Sequence, residues 1–98
     1  MLTKEEVMRA LSKAIHPEID SSLVGLGMIK DVSIEKEMVT VTMNLPFAGI
    51  PIKDDLVQIV KEAVADKDPG LRLEVRSATM DEEEREEFMK KAREKWKS

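Results

Sequence analysis

Between Met38 and Ala78 the spacing of apolar residues changes from two to the helical repeat and back to two. No other feature constrains the fold as much. Val39, Val41, Met43 and Leu45 alternate with Thr40, Thr42 and Asn44, which predicts a strand over 38–45 with one buried face. Leu56, Ile59, Val60, Ala63 and Val64 then share one side of a helix over 53–67. Asp54 and Asp55 stand in its first turn, where the helix dipole favours acid. Asp68-Pro69-Gly70 makes a turn, and Leu71, Leu73 and Val75 alternate again in a strand over 71–78. A strand, a helix and a strand in that order imply a crossover that leaves the two strands parallel.

The flanking segments complete the pattern. Val32 and Ile34 alternate in a strand over 28–34, and Glu35-Lys36-Glu37 turns it back onto the 38–45 strand as an antiparallel hairpin. Thr3 and Glu6 form a capping box, since each side chain can satisfy a free backbone N–H at a helix start. Val7, Leu11 and Ala14/Ile15 continue that helix, which Pro17 should stop near Ile15. Thr79 and Glu82 offer a second capping box for a last helix over about 80–95. That helix begins acidic and ends basic, with Glu86–Lys90 and Glu87–Lys91 spaced as i,i+4 ion pairs. The fold class is α+β, two-layered, in the order α-β-β-α-β-α, with helices on a mixed three-stranded sheet. Residues 1–80 are expected to form the domain and 81–98 a charged amphipathic C-terminal helix.

Composition removes whole classes of function. Ninety-eight residues suit one core. The absence of cysteine excludes disulfides, thiolate-held clusters, Cys-based zinc sites and a thiol nucleophile. A single His leaves no room for a His-rich metal site. With no Tyr, one Trp, two Phe and a net charge of −4, neither an aromatic platform for bases nor a broad basic face is available, so no nucleic-acid partner is expected. No apolar run approaches the length of a membrane span, and no signal-peptide core is present. A soluble, cytoplasmic protein without a cofactor is the expectation.

Four features are candidates for chemistry or contact. The loop at His16-Pro17-Glu18, with Asp20 nearby, gathers an imidazole and two carboxylates that would bind a metal or shuttle protons, or else simply stop a helix. Gly25-Leu26-Gly27 lacks the spacing of a dinucleotide fingerprint and precedes a strand, which suits a turn. The loop over 46–52 holds Phe47, Gly49, Ile50 and Pro51 and is unusually apolar, either a patch for a protein partner or core packing. Phe88, Met89, Ala92 and Trp96 form an apolar stripe on the last helix, which covers the chain's own sheet or docks on a partner. No nucleophile–base pair, phosphate loop or supported carboxylate dyad is present, so the chain is expected to bind rather than catalyse.

The two loops and the elements between them resemble the iron–sulfur cluster assembly domain family, which includes PaaD-like and SufT-like proteins and the N-terminal domain of Mrp-type ATPases. The resemblance runs over about residues 4–78 and rests on His16-Pro17-Glu18-Ile19, Leu26-Gly27-Met28-Ile29 and the stretch from Val39 to Pro51. Pro17, Glu18, Leu26, Gly27, Gly49 and Pro51 fit the family pattern. His16 and Gly25 stand where the family usually has Asp, Pro46 and Phe47 where it has Thr, and Ile50 where it has its cysteine. The resemblance implies an accessory domain for iron–sulfur cluster assembly, here without the reactive sulfur. Its partner would be a protein: a P-loop cluster-carrier ATPase acting in trans, or another assembly factor. The implied contact surface is His16, Glu18 and Asp20 on one loop and Phe47, Gly49, Ile50 and Pro51 on the other. A small metal- or ligand-binding protein using the His16–Asp20 loop is the alternative. A homodimer through an edge strand or the last helix is compatible with either.

Overall fold

In a computed structural model, which describes residues 2–97, the elements follow in the order α1 (Lys4–Leu11), β1 (Ile29–Glu35), β2 (Met38–Leu45), α2 (Lys53–Lys67), β3 (Arg72–Thr79) and α3 (Glu82–Lys95). β2 is the central strand, antiparallel to β1 and parallel to β3. The change of period from strand to helix and back thus produces the parallel pair it implies. The α+β class and the element order agree with the sequence expectation.

One face of the sheet carries the core. Val32 of β1 pairs with Val41 of β2, which pairs with Val75 of β3, so apolar side chains line up across the strands. α1 and α2 pack against each other over this face, α1 on β1 and α2 on β3. Leu11, Val39, Val41, Met43, Leu56 and Val60 are sealed from solvent. The opposite face pairs Ser33, Thr40 and Glu74, and beside them Thr42 with Arg76, so it remains polar. β1 and β2 join through a tight turn in which Lys36 takes a positive φ of 54°.

Two helix boundaries differ from expectation. α1 ends at Leu11 rather than near Ile15. The backbone of 14–16 is committed elsewhere: Leu23 N–H donates to Ala14 O and His16 N–H to Ser21 O, and Ile15 bridges Ser22. This small antiparallel clip holds the loop over 16–27 against the domain, with Ile19, Leu23 and Leu26 buried. α3 is capped by Asp81 and Glu84, not Thr79 and Glu82. Thr79 is held in the β2–β3 ladder opposite Leu45, and Met80 N–H donates to Leu45 O while its side chain is buried. The chain is free to turn only at Asp81, whose carboxylate accepts from Glu84 N–H at 2.8 Å.

Candidate functional site

α3 does not lie on the sheet. It lies beside the two loops that the sequence singles out, and the three together enclose an open groove of about 640 Å³. Its backbone reaches the first loop through Asp20 N–H to Lys95 O at 2.7 Å and Lys97 N–H to Glu18 O at 3.0 Å. Ile19 and Trp96 form a bridge between these bonds. The second loop is clamped by Arg85, whose Nε donates to Pro46 O at 2.7 Å and Nη2 to Met80 O at 3.1 Å. The same guanidinium stands 5.0 Å over the centre of the Phe47 ring, a cation–π contact. At the start of α3, Asn44 Nδ2 donates to Glu84 Oε2 at 3.0 Å.

The groove is apolar, with Met28, Ile52, Phe88 and Ala92 among its lining residues and Phe47, Met89 and Trp96 more open to solvent. Those last three keep 49%, 37% and 56% of their surface exposed. Ile50 is half-buried, lines the groove and packs against the core. The polar groups of the groove are His16, Glu18 and Arg93. Such a surface receives an apolar side chain or short apolar segment and offers few polar groups to orient it. It holds no thiol, since the chain has none.

His16 is built into the loop. The residue is only 3% exposed, and its Nδ1 accepts N–H bonds from Glu18 at 2.9 Å and Ile19 at 3.2 Å. A ring nitrogen that accepts N–H bonds carries no proton, so the neutral ring keeps its proton on Nε2. Burial pushes the His16 pKa below its ordinary value; the Glu18 carboxylate opposes this and Lys97 adds to it. Lys97 Nζ also donates to His16 O at 3.3 Å. An imidazole here does what a carboxylate at the same position would do: it accepts the two N–H groups that follow it.

Of the residues expected at the site, His16, Glu18, Phe47 and Ile50 line the groove. Asp20, Gly49 and Pro51 are exposed and lie outside its lining. Gly49 instead shapes the loop, with a φ of +71°. His16, Glu18 and Asp20 do not converge: among the described residues no group of three His, Asp or Glu stands close enough to hold a metal ion. The stripe on α3, which periodicity offers as a cover for the sheet or a dock for a partner, divides. Phe88 and Ala92 face inward, while Met89 and Trp96 remain at the groove rim. Arg85 escapes sequence reasoning, because its role depends on carbonyls at Pro46 and Met80 that only the folded chain brings to it.

A family model described as iron–sulfur cluster assembly protein matches residues 4–75. The chain is 38% identical over 64 residues to the Fe-S protein maturation auxiliary factor YitW of Bacillus subtilis, covering 64% of this chain and 63% of that protein. It is 35% identical over 91 residues to an iron–sulfur cluster carrier protein of Mycobacterium leprae, covering 92% of this chain but 24% of that protein. An alignment of that extent necessarily enters α3. The chain therefore spans under two thirds of the first relative and about a quarter of the carrier. Among solved structures, a domain of unknown function, DUF59, from Bacillus anthracis superposes with a TM-score of 0.72 at 23% identity, over 83% of this chain and 81% of the other. That likeness bears on the fold.

Proposed function

This chain belongs to the iron–sulfur cluster assembly protein family, and from that membership we propose that it serves cluster assembly as a non-catalytic accessory domain. It acts by protein contact, with a P-loop cluster-carrier ATPase or another assembly factor as its partner, in the cytoplasm. Relatives named as a maturation auxiliary factor and as cluster carriers support a place in assembly. The observation that carries the contact reading is the groove. Its surface is apolar and half-open, and Ile50 stands on it where the family resemblance puts a cysteine. A wall of this kind excludes water from an apolar partner segment, and its exposed aromatic residues are the type that anchor interfaces. No described helix is long and apolar enough to cross a membrane.

Phe47 is the residue with which to test this, because it is half-exposed and Ile50 is packed on the core. Tagged wild-type protein and a Phe47→Ser variant are each exposed to extract from the native host, and retained proteins are identified by mass spectrometry. The wild type should retain a cluster-assembly protein. The variant should show the wild-type circular dichroism spectrum and retain at least about tenfold less, as expected for an aromatic anchor removed from an interface. Recovery of no assembly protein by the wild type overturns the reading. A rise in melting temperature on titration with Zn²⁺ or Fe²⁺ would turn it toward metal binding instead, since a ligand of the folded state must stabilise that state.

A further inference from the structure

α3 divides into two halves of opposite charge around one exposed apolar residue. Residues 82–87 are acidic apart from Arg85, residues 90–95 are basic apart from Ala92 and Glu94, and Met89 stands between them. A helix dipole accounts for charges in the first and last turns only. Glu86 and Lys90 lie inside the helix, beyond that reach. Nor do the i,i+4 pairs expected from the sequence consume them. Among the described residues the salt bridges are Lys4–Asp31 and Glu74–Arg76, so neither Glu86–Lys90 nor Glu87–Lys91 is closed.

The positions also form a seam. Glu82, Glu86, Met89, Arg93 and Trp96 follow one another at steps of four, three, four and three, the spacing that keeps side chains in line along a helix packed against another helix. All five are exposed. Met89 and Arg93 lie between the apolar groove and a shallow polar depression of about 510 Å³ that also includes Glu82 and Glu86.

We propose that this seam of α3 is a self-complementary interface on which a second copy of the chain packs antiparallel, with the two-fold axis passing beside Met89. Antiparallel pairing lays the acidic half of each helix along the basic half of the other. Met89 meets Met89 of the second copy, and Glu86 meets Arg93 on both sides of it. Trp96 then reaches the first turn of the opposite α3, next to the Arg85–Phe47 pair. All three large apolar residues left exposed around the groove are covered in one contact. A two-fold axis requires such a surface to be complementary to itself, and a helix of two opposite charged halves meets that requirement. The second copy and the partner proposed above would compete for the same groove rim, and dimerisation is tested on the purified protein alone.

Sedimentation equilibrium over micromolar to millimolar protein measures the dimer. Glu86→Arg and Arg93→Glu each place like charges opposite one another twice, so each variant should weaken dimerisation at least about tenfold. The double variant Glu86→Arg/Arg93→Glu restores opposite charges at both contacts and should return to near the wild-type dissociation constant. Added salt should weaken the wild-type dimer. Both side chains are exposed, so at concentrations low enough that all four proteins are monomeric their melting curves should coincide. A wild type that remains monomeric at millimolar concentration overturns the proposal. So does a dimer indifferent to the single reversals, or a double variant as weak as the singles.

Discussion

The sheet with α1 and α2, and the loops with α3, are built from similar apolar residues used differently. In the first region Leu11, Val39, Val41, Met43, Leu56 and Val60 are shut away from water. In the second, Phe47, Met89 and Trp96 line a groove with between a third and more than half of their surface exposed. The first region is held by side chains that meet across β1, β2 and β3. The second anchors Ile19, Leu23, Phe88 and Ala92 in the core, but its outer edges are held by hydrogen bonds to backbone: Arg85 to Pro46 O, Lys91 Nζ to Gly25 O at 2.9 Å, and the short ladder between 18–20 and 95–97. A region closed by apolar contact resists change throughout. One whose outer edges are closed by a few hydrogen bonds leaves its rim residues available for something else.

The largest effect should separate the two regions directly. Leu56→Ala empties a fully buried site and should cost about 2–5 kcal/mol in urea denaturation. Trp96→Ala removes a larger side chain, yet more than half of it already faces water and its neighbours bond through the backbone. It should cost about 1 kcal/mol or less, within the usual range for exposed substitutions. Equal costs would break the comparison, because the groove would then be an extension of the core.

The same division explains what the sequence reveals. The core could be found by counting, since Val39 to Leu45 repeat at two and Leu56 to Val64 at the helical spacing, and both patterns match buried faces. Those periods are local and every residue carries part of the signal. The groove has no period. His16 and Phe47 are far apart along the chain and come to line one groove through the clip at 14–16 and the grip of Arg85. The two loops stand out by composition and by resemblance to a family, and nothing in their spacing places α3 beside them. The boundary at Thr79 misleads for the same reason: Thr79 and Glu82 have the capping-box spacing, and only the ladder with Leu45 shows that Thr79 is already in use.

A middle-sized effect tests the hinge of the groove. His16→Ala leaves the Glu18 and Ile19 N–H groups without their acceptor and should cost about 1–3 kcal/mol. The pH dependence gives the sharper result. The His16 pKa is lower in the folded state than the ordinary 6.5, so the folded protein binds fewer protons than the unfolded chain. This contribution to stability is complete above the ordinary value and is lost as pH falls from there through the lowered one. His16→Asp keeps an acceptor for both N–H groups and should move the loss down to the carboxylate range, around pH 4. Urea midpoints measured from neutral to acid pH check both variants. If wild type and His16→Asp lose stability over the same pH window, Nδ1 is not the group that holds the loop.

A last comparison sets two loops at a common backbone geometry, one tied directly to the core and one at the groove. Gly27 and Gly49 take φ values of +74° and +71°, and a Cβ added at either would meet nothing within 4 Å. Substitution by Ala therefore tests conformation alone, with about 1–2 kcal/mol expected for a left-handed residue. Gly27 precedes buried Met28, and the turn around it is fixed by Gly27 N–H to Val24 O and Met28 N–H to Leu23 O. It cannot relax without disturbing the core, so Gly27→Ala should show the full cost. Gly49 sits between exposed Ala48 and half-buried Ile50, in a loop that Arg85 grips only at Pro46 and Phe47. There the backbone can shift and part of the strain disappears, so Gly49→Ala should cost less. Thermal melts of the two variants give the ordering. If Gly49→Ala proves the more costly, the groove loop is held as rigidly as the turn that feeds the core, and the groove rim is not a loosely held surface.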